Sequence, residues 1–339
     1  MMNHHQKEVI KAAITAVGAY VPDTVLTNQE LENMVDTSDS WITSRTGIKE
    51  RRILKEPGKA TSFLAIQAAQ NLIQKKQLDP LTIDLVMVAT ITPDVPVAAT
   101  AAYVASQIGA SNAFAYDLQA ACSGFLYGMS TAAAYISSGR YNKVLLIGAD
   151  MMSSIVDYTD RTTCIIFGDG AGAALFEPNT EGYGWEDEYF RSNGTDRDAL
   201  RIKAGGSLHP TTQQTLDAGD HFIRQDGQTV YKYAVTEMAH VTETMLQRNS
   251  LTASDVSYLV PHQANKRIVD ATAKRLEIHD DKVLMNIAYY GNTTAATLPL
   301  LLNDFENNFK KGDKLIFAAF GGGFTWGGCL FNLGLLIST

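Results

Sequence analysis

Cysteine is scarce in this chain. There are three, Cys122, Cys164 and Cys329, and an odd, sparse set with no repeating spacing builds no disulfide framework. A reduced, cytoplasmic protein is expected. Long apolar runs are missing as well. No uninterrupted stretch approaches the roughly 20 residues that a membrane-spanning helix needs. The N-terminal Met1–Lys11 is polar and lacks the apolar core of a secretory leader, so no membrane partner is expected. Basic residues are outnumbered: 28 Lys and Arg against 36 Asp and Glu leave a formal charge of -8. That balance argues against general nucleic-acid binding, while leaving room for a local basic patch.

What is present is an ordinary globular composition, 45% apolar and 19% charged over 339 residues. The length suits two domains, or one domain built from two halves. In the first half, strands are expected at Ala12–Tyr20, Leu85–Ile91, Ala113–Asp117 and Val144–Gly148. Two more, Ile165–Gly168 and Ala171–Phe176, bracket a Gly168-Asp169-Gly170 turn. The continuous apolar run at Leu85–Ile91 is the kind buried in a mainly parallel sheet. Helices are expected at Asn28–Val35 and Ser38–Arg45, with Thr27 and Thr37 as candidate N-caps, and at Thr61–Lys76, Ala98–Ile108 and Ser123–Ser138. From Glu177 to Gly227 the chain turns polar and loses its periodicity, and we read an irregular connection with a short hairpin. The second half resumes the pattern. Its helices are Val230–Arg248, Gln263–Leu276 and Thr294–Asn308. Its strands are Tyr258–Pro261, Val283–Met285, Lys314–Ala319 and Gly328–Leu335. The alternation of strand and helix, closed by a glycine turn between two strands, occurs twice. A duplicated α/β fold follows, with an N-terminal half over 1–176, a connection over 177–229 and a C-terminal half over 230–339.

Cys122 sits where an apolar run meets a small-residue helix, in Asp117-Leu118-Gln119-Ala120-Ala121-Cys122-Ser123-Gly124-Phe125. A helix N-terminus carries unpaired N–H groups and positive potential, which favours thiolate. Against this, free cysteine often simply packs, the reading given to Cys164 and Cys329. His262 follows Val260-Pro261 at a strand end, where α/β proteins bind ligands. Asn292 lies in a Gly-Asn-Thr-Thr turn, a place asparagine also occupies for turn chemistry alone. Together with the Gly321-Gly322-Gly323 loop they supply a nucleophile, a base or donor, a second donor and flexible backbone, the parts of an acyl-transfer site.

Six ordered segments carry a resemblance. They are Trp41-Ile42-Thr43-Ser44-Arg45-Thr46-Gly47-Ile48, Ala120-Ala121-Cys122-Ser123-Gly124-Phe125, Phe167-Gly168-Asp169-Gly170-Ala171-Gly172-Ala173, His262-Gln263-Ala264-Asn265, Gly291-Asn292-Thr293 and Gly321-Gly322-Gly323-Phe324-Thr325-Trp326-Gly327. From about Ile14 to Leu333 the chain resembles the β-ketoacyl-acyl-carrier-protein synthase III family, the initiating condensing enzymes of type II fatty acid synthesis. The resemblance implies a thiolase-like fold of two pseudo-repeated α/β halves in α-β-α-β-α layers, normally homodimeric.

It also implies site roles. Cys122, His262 and Asn292 would be the catalytic triad, with the N–H groups of Cys122 and Gly322 as oxyanion hole. Acyl-CoA and malonyl-acyl carrier protein would be the substrates, with no metal or redox cofactor. Thr37, Trp41, Arg45 and Arg161 would hold the coenzyme A nucleotide. Gln228, Tyr231 and Asn265 would line the pantetheine tunnel, with Phe320 near the cysteine. Carrier docking would fall on the helix after His262, over Gln263, Ala264, Asn265, Lys266, Arg267, Lys274 and Arg275, with Lys232 beside it. Val95, in a loop that crosses to the partner's acyl pocket in the family, stands where some relatives have phenylalanine. Thr162 replaces a frequent glycine after the nucleotide-binding arginine, and Gln228 and Tyr231 are variants of tunnel positions. The rival readings are a relative specialised for unusual primers, a papain-like cysteine protease and a non-catalytic scaffold. The protease lacks support from its Cys-Gly-Ser-Cys-Trp signature, which is absent.

Overall fold

In the computed structural model, residues 10–334 are described. The polar stretch before Ile10, and Leu335 at the expected end of the last strand, lie outside them. Two sheets face each other across a layer of helices. The first holds β1 (Lys11–Tyr20), β2 (Leu85–Ala89), β3 (Phe114–Leu118), β4 (Val144–Asp150) and β5 (Gly170–Asn179), in the order β1-β5-β4-β2-β3. The second holds β6 (Gly184–Ser192), β7 (Tyr258–Pro261), β8 (Lys314–Gly321) and β9 (Thr325–Asn332), in the order β7-β8-β9-β6.

Between the sheets lie α4 (Gly124–Ser137) and α7 (Thr297–Asp304), whose Phe125, Met129, Leu298 and Leu301 share one core with Leu146, Phe176, Phe317 and Phe331. α1 is Asp39–Thr46, beside the fold; α2 (Thr61–Lys76) and α3 (Thr100–Gln107) cover the outer face of the first sheet, and α5 (Gly227–Arg248) and α6 (Lys266–Arg275) that of the second. The alanine and glycine content of α4 is what lets it fit between two sheets: a Cβ on Gly128 would stand 2.5 Å from Leu146. This is the layered α-β-α-β-α arrangement.

The sheets also repeat each other. In each, two parallel strands, β2 and β4 or β7 and β8, are continued by two antiparallel ones, β5 and β1 or β9 and β6. The counterpart of β3 has shrunk to a single parallel bridge between Leu259 and Val283, which is why the strand expected at Val283–Met285 does not form.

Several expectations need correction. The connection read as irregular contains β6, nine residues long and paired with β9 along its length except for a bulge at Glu186. It is an edge strand in which Glu186, Asp187, Glu188 and Arg191 fall on both faces, so it has no apolar run to announce it. Ile165–Gly168 is a turn rather than a strand, joined to the rest by one bridge from Phe167 to Asn292. The cap of α1 is Ser38, whose hydroxyl accepts from Trp41 N at 3.2 Å, not Thr37. α6 begins at Lys266 rather than Gln263, because Asn265 caps it by accepting from Arg267 N at 2.9 Å.

Candidate active site

The turn before α4 is shaped from both sides. Ala121 takes a φ of 47°, a left-handed conformation that costs an L-residue about 1–2 kcal/mol. Two side-chain bonds clamp it to the start of β9: Ser123 Oγ donates to Thr325 O at 3.0 Å, and Thr325 Oγ1 donates to Ala120 O at 2.8 Å. Gly321 at the end of β8 presses against the turn, and a Cβ there would lie 2.8 Å from Cys122 N. Cys122 is buried, 7% exposed. Burial, reinforced by the Asp150 carboxylate, pushes its thiol up to about 12. The lowering expected at the helix N-terminus does not prevail: desolvation of the charged form is the largest influence, and the free thiol is neutral.

His262 continues β7, its N–H donating to Ala318 O at 2.8 Å. Both ring nitrogens are buried without a partner among the described residues. Burial lowers the imidazole from its ordinary 6.5 to about 3, so it is neutral at physiological pH. Gln263 turns the other way. It is fully buried, and its Oε1 accepts from Asn286 N and Ile287 N at 3.0 and 2.9 Å. It is thus a structural clamp, which corrects its expected place on a docking surface.

Asn292 is fixed through its backbone by the Phe167 turn: Asn292 N donates to Ile166 O at 2.9 Å, and Gly168 N to Asn292 O at 3.1 Å. Gly168 is required there, since a Cβ would meet Tyr290 O at 2.2 Å. The carboxamide Oδ1 accepts from Thr294 N at 2.9 Å, leaving the NH2 end without a partner among the described residues. Thr294 itself has a φ of 53°, and its hydroxyl reaches Asp150 Oδ2.

Cys122, His262 and Asn292 line one cavity of about 960 Å³. Gly321, Gly322 and Gly323 form part of its wall, as do Arg45, Gln228, Tyr231, Ala264, Asn265, Arg267 and Phe320. Phe320 packs within an aromatic group with Tyr233 and Phe324. Thr37, Trp41, Arg161, Lys232 and Val95 are not on this wall. Trp41 sits outside it with the Arg161 guanidinium carbon 4.9 Å from its ring centroid and that of Arg45 at 5.9 Å. A base stacked between indole and guanidinium would need them roughly 7 Å apart, twice the contact distance, so that sandwich is closed. Arg161 also pairs with Asp36 at 3.5 Å. The Thr162 hydroxyl turns back and donates to Asp160 Oδ1 at 2.7 Å.

The basic helix is partly neutralised. Lys266 pairs with Asp270 at 2.6 Å and Arg275 with Glu243 at 2.8 Å. Among the described residues, exposed Arg267, Lys274 and Lys232 have no carboxylate partner, and Arg267 lies 5.5 Å from the Tyr231 ring. The sequence reading missed Thr294 and Asp150, and it missed Arg197, Leu200, Arg201 and Lys203, which wall the cavity from within the supposed connection. Thr294 stands in the Gly-Asn-Thr-Thr turn already singled out, without a role given to it, and no motif marks the others.

Two family models for 3-oxoacyl-[acyl-carrier-protein] synthase III match this geometry's two halves: the main model over residues 116–194, which include the cysteine turn, and its C-terminal model over 246–333, which include His262 and Asn292. β-Ketoacyl-[acyl-carrier-protein] synthase III 2 of Bacteroides thetaiotaomicron is 53% identical over 94% of this chain and 96% of its own. This chain belongs to the synthase III family. The synthase III of Chlorobium chlorochromatii is also 53% identical, over 94% of this chain and 98% of its own. Among solved structures, the synthase III of Aquifex aeolicus VF5 matches at 40% identity with a TM-score of 0.86, covering 95% of this chain and 99% of that one. The priming β-ketosynthase of the R1128 polyketide pathway matches at 29% identity with a TM-score of 0.88, covering 98% and 99%. The fold is thus the thiolase-like fold of the synthase III family.

Proposed function

We propose that Cys122, His262 and Asn292 carry the two half-reactions of an initiating β-ketoacyl-acyl-carrier-protein synthase, an acyltransferase. The observation that supports this most is the meeting of thiol, neutral imidazole and free carboxamide on one cavity within a chain that matches synthase III relatives along nearly its whole length. In the first half-reaction the Cys122 sulfur attacks the thioester carbonyl of an acyl-CoA. The carbonyl oxygen becomes an oxyanion held by the N–H groups of Cys122 and Gly322. CoA thiolate leaves and takes up the proton that Cys122 lost, with neutral His262 the group available to carry it. In the second, malonyl-acyl carrier protein enters. His262 and Asn292 donate to its thioester carbonyl, and carbon dioxide leaves. The electron pair stays as an enolate, whose carbon attacks acyl-Cys122. Carbon–carbon bond formation releases the cysteine sulfur and gives β-ketoacyl-acyl carrier protein. The balance needs no oxidant, reductant or metal.

Arg45, Gln228, Tyr231 and Asn265 would receive the pantetheine and nucleotide, with Arg161 swinging off Trp41 to admit adenine and Thr37 at the edge of that site. Fatty acid synthesis is favoured over a specialised pathway because the synthase III relatives reach 53% identity and the polyketide priming enzyme 29%. A homodimer belongs to the same reading. β3 is an open sheet edge, and Val95, Val97, Tyr103 and Phe114 expose apolar surface around it. Across such an interface Val95, absent from its own chain's cavity, would floor the partner's. A cytoplasmic location goes with the three unpaired cysteines; no helix among the described residues is long and apolar enough to cross a membrane.

Half-reaction dissection tests the roles. Cys122→Ala should abolish acylation and condensation while leaving some malonyl decarboxylation. Asn292→Ala should do the reverse, keeping acylation and losing condensation. Normal condensation by the Asn292 variant would refute its assignment.

A further inference from the structure

The donor role given to Asn292 depends on which end of its carboxamide faces the cavity, and the structure shows what decides that. The amide oxygen is occupied by Thr294 N–H at 2.9 Å, so the NH2 end is the one left over. That bond exists only because Thr294 adopts a φ of 53°, unusual for a β-branched residue. The Thr294 hydroxyl is in turn held by Asp150 Oδ2, which Ala295 N also approaches at 3.4 Å.

Asp150 is fully buried and no basic side chain pairs with it among the described residues. Its two oxygens serve two loops. While Oδ2 holds the Asn292 turn, Oδ1 accepts from Thr90 Oγ1 at 2.9 Å, Ile91 N at 2.8 Å and Thr92 Oγ1 at 2.9 Å. These residues open the loop that carries Val95. A buried carboxylate bonded this densely is a fixed point between the turn of one half and the loop of the other, β4 supplying it from its last position.

Resting on the reading of Asn292 above, we propose that Asp150 is a positioning residue for the condensation half-reaction: through Thr294 it fixes the Asn292 carboxamide with its NH2 toward the malonyl thioester. Thr294 lines the cavity beside Asn292 but gives its hydroxyl to Asp150, which is not on the wall. The effect carried through Thr294 is confined to the half-reaction that uses Asn292, while the charge of Asp150 also bears on Cys122 by raising its thiol.

The test compares Thr294→Val, which keeps the shape and removes the hydroxyl, with Thr294→Ser, which keeps the hydroxyl, and with Asp150→Asn. Each purified variant is given acyl-CoA, and Cys122 acylation is followed by intact mass. Decarboxylation and condensation are followed with malonyl-acyl carrier protein. Thr294→Val should acylate normally while kcat for decarboxylation falls on the order of 10- to 100-fold, the penalty of a misplaced donor. Asp150→Asn should show the same fall in decarboxylation, and its acylation rate does not bear on the relay because losing the carboxylate also changes the Cys122 thiol. KM should change little, and Thr294→Ser should restore most of the rate. Adding Thr294→Val to Asn292→Ala should cost nothing more, because the two act as one unit. Equal loss of both half-reactions in Thr294→Val, or an additive loss in the Asn292→Ala background, overturns the relay. Because Asp150→Asn also disturbs the Thr90–Thr92 loop and could fail to fold, the Thr294 pair decides alone if it does. If Asn292→Ala by itself leaves decarboxylation intact, the reading of Asn292 fails and takes the relay with it.

Discussion

Burial acts on Cys122 and His262 in opposite senses and leaves both neutral. It raises the thiol to about 12 and lowers the imidazole to about 3, since desolvation penalises whichever form is charged. A resting enzyme with a neutral nucleophile is the consequence, and substrate binding must supply what ionises it. The sign for pH dependence follows from the raised thiol. Below its pKa the thiolate fraction grows about tenfold per pH unit. Alkylation of Cys122 by iodoacetamide in the free enzyme, mapped by peptide mass, should therefore climb steadily with pH and show no plateau up to about pH 9. A plateau between about pH 6 and 7 would mean that the α4 dipole does dominate. The sequence located this cysteine and mistook its electrostatics. Position at a helix start is legible in a string of residues, but the depth of burial and the presence of Asp150 are properties of the assembled fold.

Among the elements, α6 makes the most exposed claim. Its charges were legible, and their pairing was not: Asp270 and Glu243 remove Lys266 and Arg275 from the free set, and Glu243 comes from α5, distant in sequence. What remains is Arg267 and Lys274, seven residues and two turns apart on one face, with Lys232 on α5. An acidic carrier protein would dock there. Replacing Arg267 and Lys274 together with Glu should raise KM for malonyl-acyl carrier protein and flatten its salt dependence, because exposed charges are screened beyond about 8 Å at physiological ionic strength. KM for acyl-CoA should barely move. Equal impairment of both would point instead to a role in nucleotide binding, since Arg267 also lines the cavity. Sequence reading erred in opposite senses at β6, which it missed, and at the Phe167 turn, which it took for a strand. Each is defined by what it pairs with, β9 in one case and Asn292 in the other: β6 has no apolar run to announce it, whereas the apolar Ile165-Ile166-Phe167 reads as a strand and forms a turn.

At the scale of the molecule, two repeated halves meet at one cavity. The cysteine turn comes from the first, and the histidine and asparagine turns come from the second. That duplication could be read in the sequence because buried parallel strands such as β2 and β4 are continuous apolar runs. The cavity's outer wall could not, being built from polar, aperiodic residues such as Arg197, Arg201 and Lys203. If the second copy's Val95 completes the acyl pocket, Val95→Phe should shift preference toward short primers, at about the 1–3 kcal/mol cost of overpacking for long ones. Steady-state competition among acyl-CoAs of increasing length would reveal it, and an unchanged ranking would remove Val95 from the pocket. The central claim, that Cys122 carries the acyl group between the two substrates, has the most direct test of all. Purified protein is incubated with a panel of acyl-CoAs, the adduct is located by intact and peptide mass, and malonyl-acyl carrier protein is then added. The account predicts one acyl group, on Cys122, discharged as β-ketoacyl-acyl carrier protein when the second substrate arrives. An unmodified Cys122 throughout turnover, or an adduct that malonyl-acyl carrier protein cannot discharge, would contradict it.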